Sequence, residues 1–356
     1  MNDRRSGNEA IPPAPGAVNL ILTDFDSESC GVGHTVGSWA RTHLGAYRVI
    51  DPRRSWRAIA GEALTLRPPV ILTYPTRNGR GSPKTLLLLA GLRLRREPVG
   101  VYLHEFLRAH PLHRLYMQIL LWLTTGPVVV SSVSEAADVR PHLRRGRRLE
   151  VCPAPAGSLP MVAVMPSDEA SGPDCPLVVG LFGIPRRNKG LDRFWDWLEK
   201  VAGDVPVEIR LVGSGWEEGW APTDRFGDSV RLLGRVPTEA LPEVFSGWDL
   251  ALAPFEEGAT DGRNSLRTPC AGGVPVVTVF PPDPADLTFR PPRGVHDLES
   301  VSSAGDVTLD IDGRTALARW TDAFDQAARR RLVELLVGQP STSMSTEPFR
   351  RSEASG

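Results

Sequence analysis

The sequence predicts an α/β protein with two domains. Its 356 residues are enough for two domains of ordinary size. In the second half, short apolar runs alternate with helix-like segments, which is typical of a doubly wound parallel sheet. Between the halves lies a polar stretch with Pro, Gly and Asp. We therefore predict a first domain over 17–165, a linker over 166–176 and a second domain over 177–338, with disordered tails at 1–16 and 339–356.

The first half carries fewer recognisable elements than the second. Apolar runs predict strands at residues 18–25, 69–74 and 99–103. Ser82 followed by Pro83 predicts the beginning of a helix, because serine is a good N-cap and proline fits the first helical position. These elements are consistent with an α/β domain but do not define its topology.

The second half is regular enough for each element to be placed. The helix after the fourth strand is expected to begin near Ser265 as its N-cap and to end at Gly272 and Gly273. A strand, a Gly-bearing loop and a helix N-terminus bring backbone N–H groups to one point, which suits a phosphate. Strands are predicted at 177–182, 207–212, 230–233, 250–253 and 275–279, and helices at 191–201, 238–245, 265–271 and 314–337.

Composition limits the class of protein. No run approaches the roughly 20 apolar residues that a spanning helix needs, and the N-terminus has no apolar signal core. We therefore expect a cytoplasmic protein. The four cysteines lie far apart without a CxxC pair, which argues against a zinc centre and against a disulfide framework.

Charge is distributed unevenly along the chain. Residues 1–170 hold 21 Lys and Arg against 14 Asp and Glu, whereas residues 171–356 hold 20 against 28. The basic first half, with an arginine cluster at 144–148, is either a solvated surface or a face for an anionic partner such as a lipid surface. Because no aromatic residues interleave with the arginines, a nucleic-acid partner is not expected.

Four segments of the second half carry a family resemblance. Together they resemble the donor-binding half of the GT-B glycosyltransferases, and the retaining family-4 type has the most similar pattern. The resemblance implies two Rossmann-like, doubly wound parallel-sheet domains that face a cleft. The segments are VVGLFG followed by RRNKG over 178–190, IRLVGSG over 209–215, VRLLGRV over 230–236, and DLALAPFEEG, SL and AGGVPVVT within 249–278.

The resemblance also implies an activity. The chain is expected to transfer a sugar from a UDP- or GDP-sugar to an acceptor hydroxyl, with retention, in natural-product or cell-surface saccharide biosynthesis. The acceptor would be a small molecule or a lipid-linked saccharide, and the basic first domain would allow peripheral contact with the inner face of the membrane. No cofactor and no metal are expected, because side chains supply the cations. Two alternatives stay open, a non-catalytic GT-B partner protein and a GT-B nucleotide-sugar epimerase.

The family's site residues map onto particular positions. Lys189 is expected to stabilise the departing diphosphate, and His104, at the carboxyl end of a strand, to contact the donor sugar near the reacting centre. The plain alternatives, a surface lysine, a capping histidine and turn glycines, stay open. Donor contacts are expected from Gly31, Gly33, Arg186, Arg187, Gly213, Gly234, Arg235, Glu257, Asp261, Arg263, Asn264 and the amides of Ser265 and Leu266.

The sequence departs from the family pattern at two places. Ile184 stands where an arginine usually follows the strand's glycine, so the diphosphate contact is expected at Arg186, Arg187 or Arg263. Thr260 and Thr268 stand where the family has paired glutamates. We therefore expect the phosphate site to be retained and the contacts to the sugar to differ.

Overall fold

The chain was analysed as a computed structural model, which describes residues 18–21, 39–40, 44, 47–51, 54–74, 82–103, 111–153, 175–203, 205–260, 263–287 and 291–337. The described chain forms two compact units. The first contains the described residues up to Val129 together with 138–150 and 332–337, and the second contains 130–137 and 151–331. Residues 166–174 of the predicted linker and both predicted tails lie outside the described residues.

The first unit is built on a six-stranded sheet. The strand order is β2-β1-β3-β4-β5-β6, and the pairs β1–β2, β1–β3 and β3–β4 are parallel. All residues of β1, β3 and β4 are buried, as expected for parallel strands covered on both faces. The strands are β1 (Val18–Ile21), β2 (Tyr47–Ile50), β3 (Val70–Tyr74), β4 (Val99–Leu103), β5 (Val128–Val130) and β6 (Leu149–Val151).

Three helices of the first unit pack side by side. These are α1 (Trp56–Thr65), α2 (Pro83–Leu94) and α3 (Pro111–Leu123), and the short α4 (Val133–Val139) follows β5. α1 connects β2 to β3, and α2 connects β3 to β4, so both crossovers run in the same direction across the sheet. Because such crossovers are right-handed, both helices lie on the same face of the sheet. α2 packs against α1 and against α3. The predicted helix start is confirmed, with Ser82 at the N-cap and Pro83 as the first helical residue.

The second unit is built on a parallel sheet of the predicted kind. Its order is β12-β11-β10-β7-β8-β9, and every pair is parallel. The chain leaves β7 towards β8 and β9 and then returns to β10 on the other side, so β7 and β10 flank a topological switch point. The strands are β7 (Leu177–Phe182), β8 (Val207–Val212), β9 (Val230–Gly234), β10 (Leu250–Ala253), β11 (Val276–Thr278) and β12 (Val295–Asp297).

The helices of the second unit follow the predicted alternation with one correction. The helix after β10 begins at Asn264, with Arg263 at the N-cap and no side-chain capping hydrogen bond. The prediction of Ser265 as N-cap was therefore wrong, and Ser265 is the second helical residue. The helices are α5 (Leu191–Ala202), α6 (Thr223–Phe226), α7 (Leu241–Ser246), α8 (Asn264–Ala271) and α9 (Ile311–Val337).

Helix α8 is anchored from behind by α9. The buried Arg267 donates from Nη1 to Oδ1 of Asp325 on α9 at 2.6 Å. Arg314 of α9 donates from Nη1 to the carbonyl oxygen of Trp248 at 3.0 Å, just before β10. These contacts fix the position of α8 relative to β10. Among the described residues, no helix has the length and apolar character needed to cross a membrane.

Candidate functional site

Three glycines meet at the carboxyl end of the second sheet. Gly183 follows β7 and donates its amide to the carbonyl oxygen of Val212 at 2.8 Å, and the amide of Gly213 donates to that of Gly234 at 2.8 Å. A Cβ on Gly213 would lie 2.2 Å from the Gly183 carbonyl oxygen, so no side chain fits there. The structure thus places two predicted glycines, Gly213 and Gly234, next to each other at the edge where ligands bind in such sheets.

The loop between β7 and α5 carries the predicted lysine. A 3-10 turn spans Arg187–Lys189, and the Lys189 amide donates to the carbonyl oxygen of Arg186 at 3.0 Å. Gly190 then adopts a left-handed conformation with φ 60°, and α5 begins. A Cβ on Gly190 would lie 3.5 Å from the Cα of Glu256. The loop after β7 and the loop after β10 therefore lie against each other.

Lys189 lies beside the beginning of α8. Its Nζ is 3.5 Å from Oγ of Ser265. A Cβ on Gly183 would lie 3.9 Å from Nζ of Lys189 and 3.6 Å from Cβ of Ser265. The lysine, the glycine after β7 and the first turn of α8 thus converge at the switch point, and the roles predicted for Lys189 and Ser265 stay predictions.

An aromatic ring supports the cations of the site. Phe255, which is buried, follows β10, and its ring centroid lies 4.9 Å from Nζ of Lys189 and 5.1 Å from Cζ of Arg263. Cations attract the negative face of such a ring. Phe255 was part of the motif behind the resemblance but was not predicted as a site residue. Its signal in the sequence was an aromatic residue two positions after Ala253, the last residue of β10.

The surroundings of Lys189 favour loss of its proton. Burial lowers the pKa of Lys189 to about 8, and the positive charges of Arg263 and Arg186 lower it as well. Within the described ranges Lys189 forms no ion pair with a carboxylate. Three cationic side chains therefore gather around a point at which an anion would stabilise the protonated lysine.

The first turn of α8 lies beside the same point. Asn264 and Ser265 are the first two residues of the helix, and amides at these positions have no acceptor four residues earlier within the helix. The amide of Leu266 donates to the carbonyl oxygen of Arg263 at 3.1 Å. The Leu266 amide of the predicted pair is thus used within the first turn, and the donor contact of the Ser265 amide stays a prediction.

The remaining predicted residues are either exposed in the second unit or outside the described chain. Arg186, Arg187, Arg235 and Glu257 are exposed, and of these Arg186 acts electrostatically on Lys189. Their contacts with a donor stay predictions. The predicted residues outside the described chain are Gly31, Gly33, His104 and Asp261.

The two departures from the family pattern are visible in the structure. Ile184 is exposed beside Gly215, whose Cβ would lie 4.0 Å from Cγ2 of the isoleucine. Thr268 is buried within α8, and Thr260 is half-buried in the loop before it. None of these residues supplies the charge that the family has there. Among the described residues, no three potential metal ligands of the His, Cys, Asp or Glu type cluster together.

The protein has the GT-B glycosyltransferase fold. It contains two six-stranded sheets, in which each strand pair with a described register is parallel, and a cluster of cationic side chains lies at the switch point of the second sheet. Three solved structures share this fold at low sequence identity. Anabaena HepE, solved with UDP and glucose, has a TM-score of 0.61 and 14% identity over 90% of this chain and 99% of that chain. The lipopolysaccharide outer core galactosyltransferase WaaB has a TM-score of 0.61 and 10% identity over 90% of this chain and 99% of that chain.

Sucrose-phosphate synthase from Thermosynechococcus elongatus gives a TM-score of 0.54 and 15% identity over 90% of this chain and 94% of that chain. No protein-family model matches the sequence, and no curated protein matches it. At these identities the likeness shows the fold, and the chemistry has to be argued from the site.

Proposed function

We propose that the protein is a glycosyltransferase that moves a sugar from a nucleotide-sugar donor to an acceptor hydroxyl, with retention. The observation that carries the proposal is the convergence of Lys189, Gly183 and the first turn of α8 at the switch point. UDP-sugars are the first donors to test, since HepE was solved with UDP and glucose, and GDP-sugars are the second.

The site is suited to a departing diphosphate. During transfer, negative charge grows on the leaving oxygen while the sugar becomes oxocarbenium-like. The ammonium of Lys189 and the amides of Asn264 and Ser265 stabilise that charge more than they stabilise the bound donor. Arg263 contacts the same Phe255 ring as Lys189. It supplies the positive charge that the family has at the position of Ile184. With these cations in place, the proposed reaction uses no metal.

The remaining donor contacts complete the proposal. The Gly234–Arg235 turn reads the nucleobase, and Glu257 or Asp261 holds sugar hydroxyls. Gly31, Gly33 and His104 belong to the first domain, where His104 contacts the sugar near the reacting carbon. The acceptor, a small molecule or a lipid-linked saccharide, is selected by the first domain. The reaction takes place in the cytoplasm, where nucleotide sugars are made.

One observation favours a second candidate, a GT-B protein that binds a nucleotide without turnover. The chain has Ile184 where the family has an arginine and Thr268 where the family has a glutamate, so a cation and a carboxylate are missing at these two positions. Binding would then persist through Lys189 and α8 while transfer failed. The two candidates differ in turnover and not in affinity.

The test compares two lysine variants. UDP- and GDP-sugar hydrolysis and transfer are measured for the parent, for Lys189→Ala and for Lys200→Ala, an exposed lysine on α5 that serves as the control. We expect Lys189→Ala to lower turnover by about 10²–10³-fold and Lys200→Ala to leave it unchanged. Tight nucleotide binding by the parent without turnover on any acceptor would favour the non-catalytic candidate, and absence of nucleotide binding would exclude both.

A further inference from the structure

Helix α3 exposes an apolar stripe. Leu112, Leu115, Ile119 and Trp122 have exposed fractions of 70%, 54%, 39% and 57%. Their spacing of three and four residues places them on one side of the helix. The inner side is formed by Met117, Leu120 and Leu121, which are buried. A helix at the surface of a soluble domain normally carries polar residues on its outer side, so this stripe needs another explanation.

The neighbouring helices extend the apolar surface. α1 exposes Trp56 and Leu64, and α2 exposes Leu87 and Leu94. Within the described part of the first unit, every exposed large hydrophobic residue lies on α1, α2 or α3. The sequence of the three helices contains a single acidic residue, Glu62, which is buried and paired with arginines. The outer side of these helices therefore carries no carboxylate.

A basic loop is fixed beside the stripe. Cζ of Arg144 lies 4.9 Å from the ring centroid of Trp122. Arg147 holds this loop to the end of α3 by donating to the carbonyl oxygens of Gly126 at 2.9 Å and of Leu121, and to Oγ1 of Thr124 at 2.7 Å. Burial lowers the pKa of Arg147 to about 10, and the nearby charges of Arg144 and Arg93 lower it further. Positive charge is thus concentrated at the C-terminal end of the stripe.

We propose that the outer side of α3, together with Arg144 and Arg145, docks on an anionic lipid surface. The leucines, Ile119 and Trp122 would enter the boundary between head groups and acyl chains, where tryptophan is favoured. The arginines would lie at the level of the lipid phosphates, where each basic residue adds to the affinity. This surface shares no residue with the proposed donor site, and docking does not require that the chain transfers a sugar.

The charge of the patch favours a lipid surface over a second copy of the chain as the partner. In a symmetric dimer the same patch faces itself, and arginines without carboxylates would then oppose arginines. An anionic bilayer supplies both the apolar layer and the negative charge. The chemistry of the patch therefore fits a lipid surface better than a copy of itself.

The test is sedimentation of the full-length protein with lipid vesicles. One vesicle preparation is phosphatidylcholine alone, and the other contains about 30% phosphatidylglycerol, a strongly anionic surface. We expect binding to the anionic vesicles, little binding to the neutral ones, and weaker binding as salt is raised. Absence of binding to anionic vesicles at low salt would overturn the proposal.

Matched variants locate the contact. Leu115→Gln with Trp122→Gln should lower vesicle affinity at least about tenfold, and Arg144→Gln with Arg145→Gln should lower it by roughly fivefold per arginine. Leu232→Gln with Ile311→Gln, and Arg319→Gln, alter exposed residues of the second unit and should bind like the parent. Melting temperatures verify that each variant is folded. If the α3 variants bind vesicles like the parent, or instead dissociate a dimer seen by ultracentrifugation, the lipid proposal is wrong.

Discussion

Lys189 is a charged group whose surroundings disfavour its charge in the ligand-free protein. Its burial and its two arginine neighbours oppose the charge, as the lowered pKa of about 8 indicates. Buried unpaired charges reduce stability, and functional sites commonly retain such costs. The residue therefore allows a test in which stability and binding change in opposite directions.

We predict that Lys189→Met stabilises the ligand-free protein by about 1–3 kcal/mol. Methionine fills the same volume and keeps a favourable contact with the Phe255 ring while removing the buried charge. Thermal unfolding without ligand measures the gain, and UDP should no longer raise the melting temperature of the variant. Lys200→Met, at an exposed position, should change neither property. A destabilised Lys189→Met protein would contradict this view of the site.

The second prediction at this scale concerns pH. In the proposed site, diphosphate binding requires protonated Lys189 and raises its pKa, so we predict full affinity below about pH 8 and a fall of up to about tenfold per pH unit above it. UDP titrations between pH 7 and pH 9.5 measure the slope. Arg263→Met should weaken binding yet move the midpoint to higher pH, because one of the like charges that lower the lysine pKa is gone. Arg319→Met should leave the midpoint unchanged, and a pH-independent affinity in the parent would contradict the role of Lys189.

At the scale of the element, the sequence predicted what depends on local pattern. The strands of the second unit from β7 to β11 were placed within one residue at each end, because apolar runs and turn residues determine them. The short strands β2, β6 and β12 were not predicted, since three or four residues give no clear periodicity. The contact of Phe255 with Lys189 could not be predicted either, because it joins loops that are distant in the chain. The start of α8 differed by one residue, and the Ser265 hydroxyl contacts Lys189.

The position of α8 depends on its buried ion pair with α9. Asp325→Ala would leave the guanidinium of Arg267 buried without this carboxylate, and we predict a loss of about 3–5 kcal/mol in the free energy of unfolding. Urea denaturation measures the loss, and UDP affinity should also fall because the first turn of α8 is no longer held in place. Asp322→Ala is the control on the same helix and should cost less than about 1 kcal/mol. Equal effects of the two substitutions would show that the pair does not anchor α8.

At the scale of the molecule, net charge and local charge differ. The second half of the sequence is acidic overall, yet its candidate site gathers Lys189, Arg186 and Arg263. The basic surplus of the first half is concentrated partly at the arginines beside α3. Composition therefore left both a solvated surface and an anionic partner open for the first domain, and it gave no indication of the candidate anion site in the second. That site required the spacing of the motifs.

The last residues of α9 complete the core of the first unit. Leu336 is buried there, and a Cβ on Gly100 of β4 would lie 3.3 Å from its Cδ2. We predict that Leu336→Ala lowers the free energy of unfolding by about 2–4 kcal/mol through the cavity that it leaves, as measured by urea denaturation. UDP affinity of the folded variant should stay unchanged, because the proposed diphosphate contacts at Lys189 and α8 are formed by residues of the second unit. Leu112→Ala, at an exposed position, should have little effect on stability. A Leu336→Ala protein with parental stability would show that the first unit forms its core without the C-terminal end of the helix.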